Sequence, residues 1–171
     1  MNLWESFDKN EISIFIMMAA AYTAFFLLSK KFSRPVTLLF LLWGYTIGVV
    51  FDFTIGGGVI DFYKLNDTQN YKLFDFLYYS LFAPATFFFV YVYELLQIKK
   101  SFIWYIIGWA LLGTGMQWPF SWLGIIDFQN GYQPVYSFPV FLTTLTVTGF
   151  YYERVRSTFE VPLPRKNMDH K

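Results

Sequence analysis

Five aspartates, Asp52, Asp61, Asp67, Asp75 and Asp127, fall within or beside two short polar stretches of a chain that is otherwise strongly apolar. Carboxylates gathered in this way can hold a hard cation such as calcium or magnesium, and paired carboxylates can exchange protons. The five are not equivalent. Asp67 and Asp75 stand before or at the start of a long apolar run, where an acid caps free N–H groups and suits the positive end of a helix dipole. Asp52 closes an apolar run, where the dipole disfavours an anion by about 0.3–1 kcal/mol. It therefore calls for a partner, and Lys64, Lys72 or a bound cation would serve. Glu94 lies inside an apolar run, which makes it a functional candidate by default. Lys99 and Lys100, about 8 Å further along a helix axis, offer it a plainer role by pairing or snorkelling. Gln117 adds a side-chain amide that needs partners within a fourth apolar run. Asp52, Asp61, Glu94 and Gln117 are thus the candidates for binding a ligand or an ion, with the identity of any metal open.

Other chemistry fails on inventory. The one histidine is His170, and there is no cysteine, so histidine-based triads, zinc sites within the apolar runs, thiolate sites and disulfides have no residues to build them. No phosphate-binding GK[ST] loop, HExxH or GxSxG occurs. Gly56, Gly57 and Gly58 follow an apolar run instead of opening a helix, and read as a helix stop in which glycine takes a left-handed conformation. No cofactor is implied and no complete catalytic set is present. A net charge of +1 gives no reason to expect a nucleic-acid partner.

The elements that must position the candidates follow from charge spacing. Segments 12–29, 35–51, 76–93, 101–126 and 128–152 carry no Asp, Glu, Lys or Arg. A helix needs about 20 largely apolar residues, with a range of about 17–25, to cross a bilayer. The chain is 56% apolar, 15% charged and 24% aromatic, and Tyr and Trp favour membrane interfaces. The expected fold is all-α: a polytopic bundle of about five transmembrane helices over 12–28, 36–53, 74–98, 102–126 and 138–152. Residues 1–153 form one membrane domain and 154–171 a cytoplasmic tail. The first run lacks the basic flank of a signal peptide and reads as a retained anchor.

Within the runs, Ala20 with Ala24 and Gly44 with Gly48 are small residues four apart, the spacing that lets helix backbones approach closely. Pro35 suits the first turn of the second helix. Pro84 removes one hydrogen bond from the third, leaving the Ser80 carbonyl free and predicting a kink. Gly113, Gly115 and Pro119 make the outer half of the fourth helix irregular, as a kinked end or a break that walls a binding site. Asn130-Gly131 marks a turn. Apolar Val59, Ile60, Phe62, Tyr63 and Leu65 alternate with Asp61 and Lys64, so this loop is expected to lie over the bundle as a lid.

Ten of the thirteen Lys and Arg fall on one side of these spans, and eight of the twelve acids on the other. The positive-inside rule then places the N-terminus outside and the C-terminus inside. The DFTIGGG, NDTQNYKLFDF and FFFVYVYE segments together resemble uncharacterised small multipass membrane proteins of Bacillus-like bacteria. That resemblance implies a bacterial cell-membrane location and brings no activity or site residues with it.

Three functions compete. The first is a non-enzymatic interaction, sensor or envelope-associated subunit, working through helix contacts with the lipid bilayer, a second copy or a membrane-protein partner. The second is a small transporter or ion-binding protein using Asp52, Gln117 and Glu94. The third, a metal-dependent enzyme on lipid headgroups, has no signature in the chain.

Overall fold

The computed structural model describes residues 8–28, 31–56, 59–65, 73–98 and 101–159. Five long helices account for most of them: α1 Lys9–Leu27, α2 Arg34–Thr54, α3 Leu73–Leu95, α4 Phe102–Trp122 and α5 Phe138–Phe159. A short 3-10 turn, Pro134–Ser137, leads into α5. Two three-residue strands, β1 Tyr63–Leu65 and β2 Ile126–Phe128, pair antiparallel, with Tyr63 opposite Phe128, Lys64 opposite Asp127 and Leu65 opposite Ile126. The lid-like loop is therefore partly a sheet strand. The period-2 alternation around Tyr63 is the signal that allows it, and the partner comes from the connection between α4 and α5.

Helix boundaries follow from local chemistry. Asp8 stands at the N-cap of α1 and its N–H donates to Glu11 Oε2 at 3.0 Å, as in a capping box. Pro35 occupies the first turn of α2. α3 stops at Leu95, short of the expected 98, because Gln97 takes φ +49° while the Ile98 N–H donates back to the Tyr93 carbonyl. α4 stops at Trp122, short of the expected 126, by the same 6→1 closure. There Gly124 has φ +76° and the Ile125 N–H donates to the Phe120 carbonyl. α4 is otherwise continuous through Gly113, Gly115 and Pro119, so of the two alternatives, a kinked end or a break, the break is absent.

α3 is the central helix and packs against α1 and α2, while α4 pairs with α5. Gly44 and Gly48 are buried on α2 where it crosses α3. A Cβ at Gly44 would collide with the Phe82 carbonyl oxygen and the Thr86 side chain, so this pair is a true contact face. Ala20 and Ala24 are exposed; α1 instead packs through Ile14 and rings such as Phe15 and Phe25. α3 runs unbroken through Pro84, and the Ser80 carbonyl freed by the proline accepts the Tyr22 hydroxyl of α1 at 3.2 Å. A neighbouring side chain thus supplies the hydrogen bond that the proline removed.

The helices alternate in direction, so their ends gather at two poles. At the pole that carries the paired strands β1 and β2, the hairpin pole, the start of α1 meets the end of α4: Lys9 Nζ sits 3.8 Å from the centroid of the Trp122 ring and donates to the Trp122 carbonyl. The far pole is an aromatic core in which Phe32, Phe40, Tyr91, Tyr93 and Tyr152 are buried. Phe32 and Tyr152 meet at 5.9 Å between centroids and Tyr93 and Tyr152 at 5.5 Å, both near edge-on, an arrangement that aromatic quadrupoles favour.

Three helices, Lys9–Leu27, Arg34–Thr54 and Phe74–Leu95, are long and apolar enough to cross a membrane. α4 is 21 residues long without a charge, but its four tryptophans, Tyr105 and Gln117 lower its mean hydropathy. Large apolar side chains face outward, among them Phe26 and Leu27 on α1, Leu42 on α2, Trp104 on α4 and Phe150 on α5. Exposed apolar surface of that extent marks a lipid or protein contact surface.

Candidate functional site

The α2–α3 pair and the α4–α5 pair meet at the far pole, where the Tyr105 hydroxyl of α4 donates to the Phe89 carbonyl of α3 at 2.6 Å. Nearer the middle, Trp43 Nε1 of α2 donates to Thr148 Oγ1 of α5 at 3.0 Å. Between the pairs, on the hairpin side of these ties, lies a half-open cavity of about 470 Å³. α2 contributes Ile47 and Phe51 to its wall, and α3 contributes Phe82, Ala85 and Thr86. α4 contributes Trp109, Gly113 and Gln117, and α5 contributes Phe141, Thr144 and Thr148. Tyr63, Ile126, Tyr132 and Ser137 line it at the hairpin pole. Gly113 keeps space open between α4 and α5, since a Cβ there would stand 3.1 Å from the Phe141 ring.

The polar side chains on the wall are mostly engaged within the protein. Thr144 donates to the Val140 carbonyl, Thr148 accepts from Trp43, and the Ser137 and Tyr132 hydroxyls lie 2.8 Å apart. Gln117 differs. It is 9% exposed, and its Oε1 is buried with no hydrogen-bond partner among the described residues. An unsatisfied buried polar group of this kind costs about 1–3 kcal/mol, and pockets that bind small molecules are mainly apolar with a few placed polar groups.

The other sequence candidates lie elsewhere. Asp52 is buried at 4% exposure near the end of α2 and accepts the Tyr79 hydroxyl at 2.6 Å. Of the two lysines expected to serve it, Lys64 stands opposite Asp127 in the strand register, and Lys72 lies outside the described residues. Gly56 folds closely over this carboxyl, since a Cβ there would stand 2.6 Å from Asp52 Oδ1. Its glycine requirement is close approach, because Gly124 and Gly131 are the glycines with positive φ among the described residues. Gly57, Gly58 and Asp67 lie outside the described residues. Asp75 is buried in the first turn of α3, as a capping acid should be.

Asp61 takes φ +59° in the turn before β1, and its carbonyl accepts Asn130 Nδ2 at 2.7 Å, so its backbone ties the two loops together. Glu94 is at the far pole, buried at 3% exposure. Its Oε2 accepts the Tyr152 hydroxyl at 2.7 Å and lies 3.6 Å from Arg156 Nε. Arg156 also approaches Glu153, which accepts the Tyr93 hydroxyl at 2.7 Å. Lys99 and Lys100 lie outside the described residues. From Tyr79, the partner of Asp52, to Glu94 is about 22 Å along α3, so the acids do not meet. No three His, Cys, Asp or Glu side chains gather as a metal site among the described residues.

Sequence reading found Gln117 but not the cavity around it, nor Tyr152 and Arg156 as partners of Glu94. The cavity is set by how two helix pairs meet, which no local pattern encodes. The chain matches no protein-family model, no curated protein and no solved structure.

Proposed function

We propose that this is a non-enzymatic integral membrane protein of the bacterial cell membrane that takes an apolar molecule from the bilayer into the cavity between its helix pairs, as a sensor or carrier subunit. The observation that carries this reading is the cavity itself, about 470 Å³ and within the size range of small-molecule sites. All five helices cross the membrane in this reading, with the N-terminus outside and the C-terminus inside. The charge-free length of α4 and the apolar course of α5 up to Glu153 support the two spans beyond the three most apolar helices. The far pole, where Arg154 and Arg156 lie, then faces the cytoplasm, in line with the positive-inside rule. A transporter or ion-binding role through Asp52, Gln117 and Glu94 has less support, because the two acids sit near opposite poles, each against a tyrosine.

The test uses the full chain in lipid nanodiscs with a photo-crosslinking single-chain lipid probe. Ala85 lines the cavity and is exposed, so Ala85→Trp fills the space without displacing core. Labelling of the wild type should fall at least about tenfold in this variant, about 1.4 kcal/mol of binding; equal labelling of both would remove the reading. Orientation is read separately. The chain has no cysteine, so Asn130→Cys should react with an impermeant thiol reagent in intact cells and Ser157→Cys only after lysis. The opposite pattern would invert the topology.

A further inference from the structure

We infer that the cavity selects a neutral single-chain amphiphile with a hydroxyl-bearing head, the head held at Gln117 and the chain running toward Trp109. This rests on the reading of the cavity as a lipid-accessible binding site. None of the described residues lining it is Asp, Glu, Lys, Arg or His. A charged head drawn inside would therefore lose its water without gaining a counter-charge, the costliest kind of burial.

The wall also has a direction. Its hairpin end carries Tyr63, Tyr132, Ser137 and Gln117, while its deeper end is formed by residues such as Ile47, Phe88, Trp109 and Leu145. Gln117 and Trp109 are about 12 Å apart along α4, so a molecule spanning them needs a polar group at one end and an extended apolar part at the other. The lip explains how a chain enters. Leu112 and Met116 are 59% and 42% exposed and belong to the same wall as exposed Ala85, so the opening faces sideways, where α4 meets lipid.

Gln117 sets the chemistry of the head. Its buried Oε1 needs a donor, and its amide nitrogen is itself a donor. A hydroxyl both donates and accepts, so it can satisfy the side chain whichever way the amide is turned. A hydrocarbon end cannot. A carboxylate can only accept, and a quaternary ammonium can do neither.

The experiment displaces the lipid probe from the full chain in nanodiscs with competitors of equal chain length at matched mole fraction: a 1-monoacylglycerol, a fatty acid, an alkyltrimethylammonium and an alkane. The monoacylglycerol should displace the probe at about five- to tenfold lower mole fraction than the alkane, and lower than either charged amphiphile. Gln117→Leu, with Gln117→Met as a second variant of similar length, should abolish that preference and leave the alkane curve unchanged. Equal displacement by all four, or a preference that survives both substitutions, would overturn the inference while Ala85→Trp-sensitive labelling left the binding reading intact. Labelling that ignores Ala85→Trp would remove both.

Discussion

The two poles of the bundle surround their buried polar groups differently, although each has a buried oxygen without a hydrogen-bond partner among the described residues, Glu94 Oε1 at the far pole and Gln117 Oε1 on the hairpin side. Each holds a carboxyl against a tyrosine hydroxyl, Asp52 with Tyr79 at 2.6 Å and Glu94 with Tyr152 at 2.7 Å. At the far pole a second layer is added: Arg156 stands beside Glu94, Glu153 beside Arg156, and Tyr93 donates to Glu153. Rings close around this network, with Phe32 and Tyr93 set against Tyr152. On the hairpin side the helix pairs are held apart, and Gln117 is left with a buried oxygen unsatisfied. The far pole sets a cation and a second carboxylate beside its buried acid, whereas Gln117 faces a cavity with no charged side chain on its described wall.

The sharpest way to break this contrast is to remove the cation at the far pole. Arg156→Met leaves Glu94 buried with the Tyr152 hydroxyl as its remaining described partner, and breaking a buried pair from one side costs about 3–5 kcal/mol. A large fall in the midpoint of unfolding of the detergent-solubilised protein, followed by circular dichroism, is the expected result. A midpoint within a degree of wild type would mean that the network contributes nothing. The matched pair Tyr79→Phe and Tyr152→Phe comes next. Hydrogen bonds to charged groups contribute about 1.5–3 kcal/mol, and Tyr79→Phe should cost the more, because Asp52 has no cation beside it among the described residues while Glu94 keeps Arg156. Equal losses would show that Arg156 does not share the load.

Sequence and structure agree most where one physical constraint acts alone. Five charge-free runs gave five helices, three of them long and apolar enough to cross a membrane, because a long apolar run can satisfy its backbone within itself as a helix. The Gly44/Gly48 spacing marked a real contact, whereas the same spacing at Ala20/Ala24 faces outward. Spacing says that backbones can approach, and the partner surface decides whether they do. Pro84 was visible as a lost hydrogen bond, but the side chain that takes up the freed Ser80 carbonyl, Tyr22, comes from another helix and has no local signal. Gln117 stood out as an amide among apolar residues, yet its cavity depends on α2, α3 and α5 as well as its own helix. Asp52 calls for Lys64, Lys72 or a bound cation, and the partner seen among the described residues is the Tyr79 hydroxyl, which no local pattern singles out in a chain with 13 Tyr.

The contrast also predicts an effect of opposite sign. At the far pole, replacing a polar side chain by an apolar one should destabilise; at Gln117 it should stabilise. Gln117→Leu removes a buried group with no described partner and should raise stability by about 1–3 kcal/mol, visible as a higher unfolding midpoint in detergent without added lipid. A lower midpoint would show that Gln117 is satisfied in solution. This reading is independent of the competition experiment, since it needs no ligand.

The smallest effect compares two helix ends closed by the same pair of hydrogen bonds. α4 ends at the hairpin pole on Gly124 with φ +76°, and α3 ends at the far pole on Gln97 with φ +49°. A left-handed residue with a Cβ is strained by roughly 1–2 kcal/mol relative to glycine, although glycine gives back part of this through its freer unfolded chain. Gln97 is exposed, so its side chain has little packing to lose. Gln97→Gly should therefore raise stability by about 1 kcal/mol or less, and Gly124→Ala should lower it by about 1 kcal/mol. If Gln97→Gly instead destabilises, the exposed Gln97 side chain holds the α3 end in place by a contact that a left-handed turn does not require, and the far pole is finished down to its last turn.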